Sequence, residues 1–206
     1  MNRKHLAIGA TVAATAILTT AFSADPPSGA AAGSSGNTVQ RPRDVRELVF
    51  LSSGYGMAYG PVAKAAREAG GPAPFTNVFV TPGAYRSFMQ SGTWPEGTTF
   101  FLEVRQGLGH SEADVKGASQ GPLLGLAAEQ KDSARYPDGG FAYFDFGPGG
   151  TKERAGPLPR TAACYACHRQ HGAVEWTFTQ FYPEQFAVAQ RLGTVRKDYD
   201  PNRKLD

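Results

Sequence analysis

"TTFFLEVR", Thr98 to Arg105, is the stretch on which the fold turns. Residues two apart on a strand share a face, so Thr98, Phe100, Leu102 and Val104 lie together. Thr99, Phe101, Glu103 and Arg105 form the other face. The first set is the expected buried face, because the second ends in two charged side chains. Trp94-Pro95-Glu96-Gly97 supplies a turn immediately before it. Upstream, "FTNVFV" (75–80) is aromatic and β-branched and reads as a second strand. Between the two, Thr81 as N-cap, Pro82 in the first turn and Gly92 as stop predict a helix. A short helix between Pro61 and Gly70 carries the same punctuation.

Downstream, "LLGLAAEQ" (123–130) and "FAYFDFG" (141–147) read as strands, with the turn residues of 136–140 between them. "TAACYACHRQHG" predicts a helix capped by Thr161 and stopped by Gly172, and a last helix runs from Pro183 to Leu192. Helices flanking hairpin-like strands make an α+β domain with an antiparallel sheet.

The beginning of the chain differs from the rest. A basic start, Asn2 to His5, precedes an apolar run from Leu6 to Phe22, with small residues near Ser23 and Ala24. This is the layout of a signal peptide over residues 1–23, which directs the protein to the periplasm. As an uncleaved anchor the run is short and weakly apolar for a bilayer span of ~20 residues. Residues 24–44 are small, polar and proline-bearing, and read as a disordered linker. The remaining segment, 45–200, fits one domain. The formal charge of +3 falls to +1 once Arg3 and Lys4 are removed. So near-neutral a protein offers no electrostatic case for nucleic acid.

The chemistry is concentrated in "CYACH". Cys164 and Cys167 are the only two cysteines, and His168 follows directly. On a helix these residues stand at i, i+3 and i+4, on one face. Two thiols can add to the vinyl groups on one porphyrin edge while the imidazole reaches the iron from the same side. The motif therefore reads as a site for one haem c, with Cys164 and Cys167 as attachment points and His168 as iron ligand. Structural zinc needs four ligands, usually in two separated pairs, and a single helix cannot readily wrap a tetrahedron. A thioredoxin-like dithiol calls for a preceding strand and a parallel sheet. A plain disulfide leaves His168 unexplained.

A low-spin electron carrier requires a sixth ligand. Met57, Met89, His110 and His171 are the candidates. Met89 sits among Tyr85 and Phe88 like a core residue, and His110 lies in a polar glycine-rich loop. His171 shares the helix of His168. None carries a strong signal, and the iron reads as open on its other face.

Three segments taken together resemble the cytochrome P-460 family, which includes cytochrome c′-beta. They are "VFVTPGAYRSFMQSGTWPEGTTFFLEVR", "GLAAEQKDSARYPDGGFAYFDFG" and "CYACHRQHGAVEWTFTQFYP". The resemblance spans about Val45 to Tyr182, in order and spacing. It implies a mostly antiparallel domain, a homodimer, and a five-coordinate haem c with His168 as proximal ligand. In the hydroxylamine-oxidising branch a strand lysine cross-links to the haem. The matching position here is Leu102, which cannot form that bond. The other branch lacks the lysine, crowds the distal face with apolar side chains and binds nitric oxide. Leu102 and Phe100 are accordingly expected at the haem.

The expectation is a periplasmic mono-haem cytochrome whose apolar distal site takes nitric oxide or a similar nitrogen-oxide ligand. The first rival is a haem oxidoreductase acting on hydroxylamine, nitric oxide or peroxide; the second is an electron-transfer cytochrome. A redox partner protein belongs to each reading. Glu103, the acid nearest Leu102 on its strand, points to the opposite face and is a poor proton donor for the site.

Overall fold

The computed structural model describes residues 36–57, 64–66, 68–109 and 116–203. The expected signal peptide, most of the expected linker, Pro61 and His110 lie outside the described residues. The main sheet runs in the order β2 (Val49–Tyr55), β3 (Phe75–Val80), β4 (Thr99–Gly109), β5 (Ala118–Lys131), β6 (Phe141–Pro148). Every neighbouring pair is antiparallel, so the sheet is a meander. Helices α1 (Pro82–Ser91), α2 (Ala163–His171) and α3 (Pro183–Leu192) accompany it. The α+β architecture expected from the sequence is the one observed. No helix among the described residues is long and apolar enough to cross a membrane.

Local chemistry accounts for most element ends. Pro82 and Pro183 begin α1 and α3, and Gly92 and Gly193 end them in left-handed conformation, with φ 72° and 69°. At α2 the expected cap fails, while the expected stop at Gly172 holds. The N-cap is Ala162, not Thr161, and no side chain bonds the free amides. Gly172 ends the helix with φ −63°, so it is not a left-handed stop. Its smallness is used instead, since a Cβ there would lie 2.8 Å from the His168 carbonyl oxygen.

Two further differences follow from layering. Val39 and Gln40, inside the stretch expected to be linker, form β1 against β7 (Arg154–Ala155), and Val39 is wholly buried. The β1–β7 ribbon covers one face of the sheet, and Val39 and Ala155 pack there with Phe101, Ala128, Phe144 and Phe146. The other face is covered by helices, and Val80, Phe100 and Trp94 pack there with Phe88, Tyr182 and Val188. The sheet is thus buried on both sides. Phe101 and Glu103, assigned by alternation to an outer face, are 1% and 4% exposed. Glu103 survives there because Arg105 donates two hydrogen bonds to its carboxylate, at 2.9 Å each, and Asn77 adds a third at 3.3 Å.

Candidate haem site

α2 carries the motif and lies against β6. Tyr165 anchors it: its ring meets the Tyr143 ring edge-on at 4.8 Å, and its hydroxyl donates to the Leu158 carbonyl at 3.1 Å. The Arg160 guanidinium stacks over the outer side of Tyr165, 4.3 Å from the ring centre. With Tyr165 turned inward, Cys164 and Cys167 are left half-buried. Burial raises both thiols above their ordinary pKa; the Cys167 and Glu129 charges add to the rise at Cys164. A redox dithiol needs the opposite shift. Among the described residues no three His, Cys, Asp or Glu side chains converge on a metal position. Both sulfurs are free thiols.

His168 is held from several directions. Its ring lies 4.5 Å from the Tyr143 ring and 4.2 Å from that of Phe178. Its Nδ1 is 2.8 Å from the Trp176 carbonyl oxygen and 3.3 Å from Oε1 of Glu129. A carbonyl and a carboxylate both accept, so the proton belongs on Nδ1 and the lone pair on Nε2. That is the tautomer a metal-binding histidine requires.

The loop that presents the Trp176 carbonyl is itself fixed. The Trp176 ring lies flat on Gly139, whose φ is +85°; a Cβ there would stand 2.1 Å from the ring. Arg196 donates to the carbonyls of Arg169, Gly172 and Glu175, at 2.6, 3.2 and 3.4 Å. These bonds join the end of α2 to the loop.

The sheet beneath the helix is ordered in rows by strand register. Val80, Phe100, Glu129 and Tyr143 form one row, and Val78, Leu102, Ala127 and Asp145 form the next. Rows on one face lie ~7 Å apart along the strands. Phe100 is spent on the core, edge-on to Trp94 at 4.7 Å and stacked on Tyr182 at 6.4 Å. Leu102, Val78 and Ala127 are each half-buried, an apolar strip one step from the Glu129–His168 contact. Motif reasoning brought together Cys164, Cys167 and His168. It did not find Glu129, Tyr143, Trp176 or Phe178. The one visible signal was Glu129 itself, a lone carboxylate in an apolar strand.

Three of the four candidate sixth ligands, Met57, Met89 and His171, lie among the described residues. Met89 packs against the core and accepts from Gln185 Nε2 at 3.7 Å, and His171 is 9% exposed. Met57 lies against Gly54 of β2, four strands from β6, or ~19 Å at ordinary strand spacing.

A family model, Cytochrome P460, matches residues 54–179, more than half of the chain. The chain belongs to the cytochrome P460 family. A comparison with curated proteins gives no match. Membership identifies a haem-binding cytochrome and implies a c-type haem. The residues fit that group, since two free thiols and a histidine in its metal-ready tautomer share one helix. In this cytochrome P460 domain Cys164 and Cys167 are the residues that would hold the porphyrin edge, and His168 Nε2 the one that would face the iron.

Proposed function

We propose that the protein is a periplasmic mono-haem c-type cytochrome that binds nitric oxide or a similar nitrogen-oxide ligand. The carrying observation is Leu102, half-buried between Val78 and Ala127 on the sheet face that bears Glu129. The haem, when bound, supplies a Lewis-acidic, redox-active iron with a coordination position for a diatomic ligand. His168 donates Nε2 to that iron, and Cys164 and Cys167 tether the ring through thioethers. Leu102, Val78 and Ala127 keep water from the ligand and offer it no hydrogen bond. Nitric oxide bonds strongly to iron without such help, whereas a polar oxygen species is disadvantaged. Attachment of haem c outside the bacterial cytoplasm agrees with the leader sequence.

In this reading the chain forms a homodimer, and Phe50 and Tyr55, 54% and 53% exposed on the outer strand β2, offer an apolar surface for it. Electrons reach the iron from a partner protein. The optical spectrum of the reduced protein, with and without nitric oxide, tests the proposal. A high-spin ferrous spectrum that changes on adding nitric oxide supports it; a low-spin spectrum that does not respond rejects it in favour of electron transfer. The oxidoreductase reading is favoured by one feature, the Glu129–His168 contact. Turnover of hydroxylamine or peroxide with an electron acceptor would establish that reading.

A further inference from the structure

Among the described residues two glutamates are buried on the adjacent strands β4 and β5, and one of them is paired with an arginine. Glu103 has the paired hydrogen bonds of Arg105. Glu129 is 8% exposed, and among the described residues its single ion-pair contact is His168. Its other polar contact is the Tyr143 hydroxyl, at 3.4 Å. Burial, and then the Glu129 charge, hold that hydroxyl above its ordinary pKa, so it remains a neutral donor. A buried carboxylate without a cation is costly unless something compensates it. Among the described residues no lysine or arginine pairs with Glu129, and the carboxylate faces Nδ1 of His168, the ring nitrogen away from the proposed iron donor. A ferric haem core, when bound, would carry one net positive charge, and through His168 it could offset the charge of Glu129.

We propose that Glu129 is a positioning residue that shares the Nδ1 proton of His168 with the Trp176 carbonyl and strengthens the histidine as an iron donor. The inference rests on the haem reading above and deepens it. A backbone carbonyl alone orients the ring. A carboxylate beside it withdraws the Nδ1 proton further and leaves more electron density on Nε2. The bond that His168 would make to iron would then better resist weakening by a strong ligand such as nitric oxide. Glu129 thus favours the ferric state and retention of His168 once the ligand is bound.

The test is resonance Raman spectroscopy and redox titration of haem-loaded parent and E129Q protein. Glutamine keeps the size and a hydrogen-bond acceptor but removes the charge. In E129Q the ferrous iron–histidine stretch should fall in frequency and the reduction potential should rise. Under nitric oxide, the equilibrium constant for loss of His168 should increase about tenfold. If E129Q does not accumulate, E129D provides the same readout. It retains the charge and draws it back by one methylene, so the stretch should fall even though the overall field persists. An iron–histidine stretch that is present in the parent and unmoved in the variants overturns the role of Glu129 alone. A parent protein with no iron–histidine stretch overturns the haem ligation itself.

Discussion

Lys131, at the end of β5, reaches Glu175, the one non-glycine residue with positive φ (53°) among those described, and forms an ion pair with it. The same ammonium donates to the Trp94 carbonyl at 2.7 Å. Glu175 immediately precedes Trp176, whose carbonyl accepts from His168. A strained backbone residue beside the carbonyl that holds His168 is thereby tied to the sheet.

Breaking that tie has a definite expected sign. The two side chains are 12% and 30% exposed, and Oε2 of Glu175 is buried without a hydrogen bond. Lys131→Met leaves the glutamate unpaired and should lower stability by about 1–3 kcal/mol. Glu175→Gly removes the charge along with the left-handed strain, worth roughly 1 kcal/mol, so its loss should be the smaller. Urea midpoints at unchanged m-value compare the two. A glycine variant that loses as much as the methionine variant would show that the ion pair, and not the strain, dominates.

Leu102→Ala should admit ligands faster. The side chain is half-buried, so the stability cost falls below the ~2–5 kcal/mol of a fully enclosed leucine, at about 1–2 kcal/mol. Association rates of nitric oxide and carbon monoxide to the reduced protein should both increase. Rates equal to the parent's would make Leu102 ordinary packing and remove the main argument for an apolar distal site.

The ligand assignment predicts a contrast among substitutions. His168→Ala should abolish normal axial ligation while Cys164 and Cys167 still retain the haem through acid-acetone extraction. Met57→Ala, Met89→Ala and His110→Ala should leave the ferrous spectrum high-spin, although Met89→Ala also loses core contacts. Colour leaving the polypeptide in acid acetone would disprove thioether attachment.

Acid should loosen the turn between β5 and β6. The backbone amide and hydroxyl of Ser133 both donate to the Glu96 carboxylate, each at 2.8 Å. The amide bond is the main cause that lowers its pKa below 4.5; the Ser133 hydroxyl and the Lys131 charge add to it. A lowered acid binds its proton more weakly when folded, so its stabilisation is complete above pH 4.5 and lost as pH falls through the lower folded value. Glu96→Gln should flatten that part of the stability–pH curve. Thermal midpoints measured from pH 6 to 3 check this, and an unchanged slope would refute it.

Elements whose determinants are local could be read directly. The period-two strands, the proline starts and glycine stops of α1 and α3, and the CYACH spacing all depend on residues within one or two turns of each other. Their steric and hydrogen-bonding preferences act before any tertiary contact forms. Burial on both faces of β4 depended on what the rest of the chain laid over the sheet. The segment at Val39–Gln40 pairs with residues 154–155, far along the sequence and too short to show a period. Ala162 caps α2 because packing of Tyr165 on Tyr143, rather than a side-chain cap, decides where that helix begins. The motif alone placed Cys164, Cys167 and His168 on one helix, since helical spacing suffices for that. Only the tertiary structure brought the Glu129 carboxylate and the Trp176 carbonyl to Nδ1 of His168. Strand register and loop docking set those distances, and neither is encoded in any short stretch of sequence.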